Sequence, residues 1–266
     1  MPYPSGLITL LTDFGDRDSF VASMKGVILT INPQATIVDL SHHISPHAID
    51  EAAYLLKSCY TSFPEGTVHV AVVDPGVGTV RRPLLAKTER YFFLAPDNGL
   101  LSFIVEEEHD VEVREIENKQ FQLESAGTTF DGRDLFAPAA GHLTTGQSLA
   151  TFGRLIRDPV RLLCAVPRWE NYVLVGEVVY IDRFGNLISN VTRKHLDEVR
   201  GIVRHRCLTI RIRNYAIEGL VNNYSEGSPE RISAIVNSNN CLELFLREKS
   251  AAQLLKLGRG ESIYVS

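Results

Sequence analysis

The chain has 266 residues, 44% of them hydrophobic, and a formal net charge of −5 at pH 7. That length and apolar content suffice for one large domain or two with real cores. Acids and bases are interspersed, which excludes a basic footprint for nucleic acid or anionic membrane, and no apolar run approaches a bilayer span.

The opening segment, residues 1–6, lacks the basic stretch and apolar core of a signal peptide, so a soluble, cytoplasmic protein is expected. Cys59, Cys164, Cys207 and Cys241 stand far apart with no C-x-x-C pair, which suits reduced core thiols better than a disulfide framework. Residues 7–11 form an apolar run that stops at the polar stretch Thr12 to Asp18, a strand and its exit. Phe20, Val21, Met24, Val27, Ile28 and Ile31 then share one helical face, with Asp18 as N-cap and Asn32-Pro33 as the stop. Residues 35–40 read as the next strand. Ser45-Pro46 reads as a cap followed by proline at the first helical position, and Ile49, Ala52, Ala53, Leu56 and Tyr60 give a second apolar face.

A turn at Phe63-Pro64-Glu65-Gly66 leads into His69 to Val73, an apolar, β-branched run of the kind buried on both faces of a sheet. The β-α-β-α-β order predicts an N-terminal, mostly parallel α/β sandwich with right-handed crossovers. The run ends in Asp74-Pro75-Gly76-Val77-Gly78, where Pro75 biases Asp74 towards extended geometry and the glycines permit a tight turn. A carboxylate is thereby set at the carboxyl edge of the sheet, where open α/β folds place ligands. Arg81 and Arg82 follow within one loop length. By itself this pattern fits a catalytic acid with its guanidinium, or a structural turn with a surface salt bridge.

Further on, residues 84–87, 91–95 and 111–116 read as strands, Pro96-Asp97-Asn98-Gly99 as a turn before a short helix, and residues 128–140 as a loop entering a small-residue helix. Composition shifts across residues 157–168, which divides the chain into an N-terminal α/β domain (1–165) and a smaller C-terminal domain (166–266). In the latter, Leu208, Ile210 and Ile212 alternate with Thr209, Arg211 and Arg213, and Leu242, Leu244 and Leu246 repeat the period, as in antiparallel strands of a barrel-like domain.

Several acids (Asp13, Asp16, Asp18, Asp39 and Asp74) fall near predicted strand ends, with His42, His43 and His47 close in sequence. They leave a metal-dependent phosphohydrolase open, yet no H-x-x-x-H or D-x-H spacing supports a metal, and none is expected. Gly76-Val77-Gly78 lacks the third glycine of a phosphate cradle, and no nucleophile elbow is present. Asp18 fits a ribose diol or, more simply, the cap of its helix. Asp182-Arg183-Phe184-Gly185-Asn186 fits an ordinary turn or the acid, aromatic and amide that an amino acid or purine needs.

Leu11-Thr12-Asp13-Phe14-Gly15 with Asp18, Ile37-Val38-Asp39-Leu40-Ser41-His42, Val73-Asp74-Pro75-Gly76-Val77-Gly78-Thr79 with Arg81-Arg82, Pro96-Asp97-Asn98-Gly99-Leu100, Phe130-x-Gly132-Arg133-Asp134-x-Phe136-Ala137-Pro138 and Ile181-Asp182-Arg183-Phe184-Gly185-Asn186-Leu187 occur in that order. Together they resemble the S-adenosylmethionine hydroxide adenosyltransferases, a hydrolase family related in fold to the fluorinases and chlorinases. The resemblance implies an α/β domain followed by a β-barrel-like domain, and homotrimers with sites between the first domain of one subunit and the second domain of the next. It implies S-adenosylmethionine plus water giving adenosine and L-methionine, without a cofactor. It assigns ribose binding to Asp18 with a wall near His47, adenine binding to Phe184, Asn186 and Tyr224, and the methionine amino-acid end to Asp182 and Ser238. Asp74 and Arg81 match two members of the family's Asp, Arg and His trio.

The third member, a histidine, is replaced here by Asp131. Such a second acid beside Asp74 would raise proton affinity between the pair and discourage a halide nucleophile. The replacement also leaves open a non-catalytic protein that binds S-adenosylmethionine or adenosine. After Asn237-Ser238 the family's glycine and tyrosine are replaced too, but Asn240 tolerates a left-handed turn, so the loop is expected to survive.

Overall fold

A computed structural model describes residues 3–124, 127, 129–163, 166–203 and 207–266; Thr128 and Cys164, singled out above, lie outside them. By contact density the chain divides into units Met1–Leu163 and Cys164–Ser266. The first unit runs β1 (Leu7–Thr12), α1 (Phe20–Ile31), β2 (Thr36–Ser41), α2 (Ile49–Cys59), β3 (Val68–Val72), β4 (Pro83–Lys87), β5 (Phe92–Pro96), α3 (Ser102–Glu107), β6 (Glu112–Glu115) and α4 (Ala137–Thr144). Its sheet has the order β2-β1-β3-β5-β4-β6; the first four strands are parallel, and β4 runs antiparallel to both its neighbours, β5 and β6.

Strand β3 is buried along its whole length, as its unbroken apolar run predicts. Its alternate residues serve two cores. Val68, Val70 and Val72 pack with Met24 and Ile28 of α1 and Leu143 of α4, whereas Ala71, with Val73 just beyond, packs with Leu56 of α2 and Ile104 of α3. A strand sandwiched in this way has no freedom to slip by one residue, so the turn that follows it emerges at a fixed place.

Three local expectations differ from the structure. The residue capping α1 is Ser19, without a side-chain bond, and Asp18 lies outside the helix, exposed. Ser45-Pro46 does not start α2. Ala48 N–H donates to the Ser45 carbonyl at 3.0 Å and His47 has φ 67°, the pattern of a type II turn with proline at its second position, and the helix begins at Ile49. Cys207 is exposed, contrary to the core role expected; among the described residues Cys59, Cys207 and Cys241 form no disulfide. No helix among the described residues is long and apolar enough to cross a membrane.

The second unit comprises β7 (Arg168–Glu170), β8 (Val173–Ile181), β9 (Leu187–Thr192), α5 (Arg193–Val203), β10 (Thr209–Ile212), β11 (Tyr215–Glu218), β12 (Ser233–Val236), β13 (Cys241–Phe245), α6 (Ala251–Leu255) and β14 (Ser262–Val265). The sheet is antiparallel and barrel-like, in the order β11-β10-β14-β8-β9-β13-β12, with β7 on β8. Ile210 and Ile212 are buried and Arg211 is exposed, as period two requires; in β13 both faces are covered, and Glu243 is buried among the leucines.

Candidate active site

Asp74 leaves β3 two residues beyond its end, and residues 75–78 turn the chain back, with Val77 N–H donating to the Asp74 carbonyl at 3.2 Å and Gly78 at φ 78°. The turn delivers Arg81 to Asp74. Arg81 Nε donates to Asp74 Oδ2 at 2.8 Å, and Arg81 Nη2 donates both to that oxygen and to Asp131 Oδ2. The Asp74 side chain is 5% exposed and that of Arg81 11%, so this is no surface salt bridge. Burial disfavours the guanidinium charge, but the bonds and fields of Asp74 and Asp131 outweigh it and raise the Arg81 pKa. Asp74 Oδ1 is buried and has no hydrogen-bond partner among the described residues, whereas Oδ2 is saturated by Arg81. One oxygen of the carboxylate is tethered and the other carries no hydrogen bond from the described residues.

Asp131 comes from the far side of the chain order. It precedes a π-helical turn, Gly132–Phe136, that runs into α4, and single π turns inside helices collect at functional sites. Gly132 keeps that turn close-packed: a Cβ there would meet Phe14 Cε2 at 3.1 Å and Met24 Sδ and Phe130 Cε2 at 3.2 Å. Phe14, Phe20 and Phe130 pack edge to face with centroids 5.2–5.8 Å apart. With Val72, Val77, Asp74 and Asp131 they line a cleft of about 410 Å³, within the size range of small-molecule sites. A second cleft of about 620 Å³ reaches Arg81 and Asp131 from a more polar side.

The loops after β1 and β2 are tied together at this sheet edge. Gly15 N–H donates to the His42 carbonyl at 2.7 Å, His47 N–H to Asp13 Oδ2 at 2.9 Å, and Thr12 Oγ1 bonds His42 Nδ1 at 2.8 Å. Asp18 and His47 are exposed members of these two loops. The remaining acids do not converge as a metal site would require. Asp39 lies within β2, paired with Lys25 at 2.6 Å and 3.1 Å from His42 Nε2, and although burial works the other way these partners lower its pKa. His43 stands 3.7 Å from Asp16 with both exposed. No group of three His, Cys, Asp or Glu with metal-binding geometry occurs among the described residues.

The C-terminal unit holds its own polar cluster. Asp182 Oδ1 accepts the N–H groups of Phe184 and Asn186, each at 2.9 Å, and Asp182 Oδ2 accepts Asn186 Nδ2 at 3.0 Å. Tyr224 Oη donates to Glu243 Oε1 at 2.8 Å, and Asn237 Nδ2 to Oε2 at 3.1 Å. Burial raises the Glu243 pKa against the bonds from Tyr224, Asn237 and Asn186, so Asp182, Asn186, Tyr224 and Glu243 belong to one network. Phe184 is exposed at its rim, and Ser238 is exposed in the turn between Asn237 and Asn240, which adopts the expected left-handed conformation at φ 58°. Glu243, which joins this cluster, leaves only one trace in the sequence, an acid placed between two core leucines of a strand.

Comparison with known proteins covers both units. Profiles described as "SAM hydroxide adenosyltransferase N-terminal domain" and "SAM hydroxide adenosyltransferase C-terminal domain" match residues 8–153 and 176–264. A protein of Methanocaldococcus jannaschii named (R)-S-adenosyl-L-methionine hydrolase is 32% identical over 94% of this chain and 92% of its own length. One of the same name from Thermus thermophilus is 34% identical over 95% and 96%. A crystal structure of an uncharacterized conserved protein from Thermotoga maritima superposes with a TM-score of 0.89 at 32% identity, covering 97% of this chain and 99% of that one.

Proposed function

The chain belongs to the SAM hydroxide adenosyltransferase family, and from that membership we propose that it hydrolyses S-adenosyl-L-methionine to adenosine and L-methionine. The (R) epimer named for its relatives is the first substrate to test. The observation that carries the site assignment is the buried Asp74–Arg81–Asp131 arrangement on the wall of a nucleoside-scale cleft.

In the reaction a water oxygen forms a bond to ribose C5′ as the C5′–S bond breaks. The electron pair leaves with the neutral thioether of methionine, so the leaving group needs no acid. The water proton passes to Asp74 Oδ1 and then to solvent. Arg81 fixes Asp74 through Oδ2 and favours the hydroxide-like charge that develops on the attacking oxygen. Alignment of one water in line with the C–S bond is worth up to about 7–11 kcal/mol in ideal systems. The phenylalanine faces of the cleft suit a sulfonium, which is attracted to aromatic rings as other cations are. Asp131 adds negative charge where an anionic nucleophile would have to sit, which favours water over halide.

Asp18 and His47 are proposed to receive the ribose, Phe184, Asn186 and Tyr224 the adenine, and Asp182 and Ser238 the amino-acid end. A homotrimer completes the proposal, with the first unit of one subunit facing the second unit of the next. The test is chromatography of the purified protein incubated with each epimer of S-adenosylmethionine, with and without fluoride or chloride. Adenosine and methionine in equal amounts are expected, unaffected by chelator. Halogenated nucleoside would show a halogenating enzyme, loss of activity with chelator a metal-dependent one, and bound but unconverted substrate a binding protein.

A further inference from the structure

The loop that presents Asp74 and Arg81 is held at both stems by one dipeptide outside it. We propose that Asp97 and Asn98 are positioning residues for the catalytic pair: Asn98 fixes the neighbour of Asp74, and Asp97 fixes the neighbour of Arg81. This rests on the reading of Asp74 and Arg81 given above.

Asn98 Nδ2 donates to the Val73 carbonyl at 2.8 Å, one peptide before Asp74. Its Oδ1 accepts Leu100 N–H at 3.2 Å, which sets the amide with its NH₂ towards Val73. Asp97, 2% exposed at its side chain, accepts Arg82 Nε at 2.7 Å, and its own N–H donates to the Arg82 carbonyl at 2.8 Å. The second carboxylate oxygen of Asp97 accepts Val160 N–H at 2.7 Å, and Arg82 also reaches Asp158 Oδ1 at 2.9 Å. The grip on residue 82 is therefore braced from behind by the segment at 158–160.

The topology makes this possible. Strand β5 lies parallel beside β3 and antiparallel beside β4, with Pro83 opposite Pro96. The chain leaving β5 at Asp97 thus meets both the exit of β3 and the entrance of β4. Residues 73–82 lie outside the strands, since β3 ends at Val72 and β4 begins at Pro83. Within the loop, turn bonds to Asp74 and Gly76, the bond from Arg81 N–H to Thr79 Oγ1 and the Arg81 side chain shape it. Catalysis by alignment falls about 10²-fold for a displacement near 1 Å, so a stem bond one peptide from Asp74 bears on rate more than on substrate binding.

The experiment replaces Asn98 with Asp and, separately, with Ser, and follows adenosine formation from S-adenosylmethionine in full-length protein. Both variants remove the donor to Val73 while keeping a small polar side chain. Expected is a fall in kcat on the order of 10²-fold, with KM within threefold of wild type and a thermal midpoint within a few degrees. If kcat stays within threefold of wild type in either folded variant, or if KM rises by as much as kcat falls, the positioning role is wrong. Wild-type protein that forms no adenosine would instead overturn the catalytic reading itself.

Discussion

Arg81 holds two carboxylates with one guanidinium nitrogen, so the three side chains are expected to respond unequally to substitution. Arg81→Ala leaves Asp74 and Asp131 facing each other without a counter-charge, a change that costs about 3–5 kcal/mol when the pair is buried. Asp74→Asn keeps the shape and one counter-ion and should cost far less in stability while still abolishing adenosine formation. Asp131→His, which installs the histidine that the resemblance implies at this position and frees Arg81 for Asp74 alone, should raise the rate. Thermal midpoints and product rates of the three variants check this, and a large rate loss in Asp131→His would show that the acid has its own part in catalysis.

His69 makes a different prediction. It is buried in β3, bonded through Nδ1 to Thr9 Oγ1 at 2.8 Å and stacked on Phe93 at 5.1 Å, and burial lowers its pKa to about 3. The unfolded chain, with an ordinary histidine pKa near 6.5, binds the extra proton first. Stability is therefore full above about pH 6.5 and declines as pH falls towards 3, by on the order of 3–5 kcal/mol. Urea unfolding across that range should show the slope, and His69→Phe, which fits the aromatic surroundings, should flatten it whatever its effect at neutral pH.

At the scale of elements, the turns matter more than the strands they join. Gly185 has φ 80° and a Cβ there would lie 2.0 Å from Ser250 Oγ, so Gly185→Ala should both strain the backbone and displace the start of α6. A loss of about 1–3 kcal/mol is expected, with KM rising because the Asp182 turn opens; an unchanged KM would detach Asp182 from substrate binding. Strand β3 and the Asp-Pro-Gly turn were legible in the sequence because burial on both faces and a proline–glycine pair leave strong local marks. The end of α1 at Asn32-Pro33 was legible for the same reason. The start of α2 was not, since Ser-Pro serves a helix cap and a type II turn alike. Nor was Glu243, because a buried acid between leucines reads as the solvent face of a half-buried strand. The meeting of Arg81 with Asp131 joins residues fifty apart in sequence, and no spacing rule foretells it.

For the whole molecule, each unit contains part of the proposed site: the reacting groups in the first and the adenine and amino-acid contacts in the second. If the site is completed between subunits, two inactive variants should repair each other. Co-expressed Asp74→Asn and Asn186→Ala chains are expected to form mixed trimers in which some sites have both wild-type halves, and adenosine formation should return. No recovery in demonstrably mixed trimers would place both halves in one chain.

Asp74, buried and tethered by Arg81, is proposed to direct a water molecule onto the C5′ carbon of a sulfonium nucleoside. The most direct measurement is mass spectrometry of products formed in oxygen-18 water by the wild type and by Asp74→Asn. Adenosine labelled at its 5′ hydroxyl and unlabelled methionine are expected from the wild type, and no adenosine from the variant. Unlabelled adenosine, or label in methionine, or full turnover without Asp74, would contradict that role.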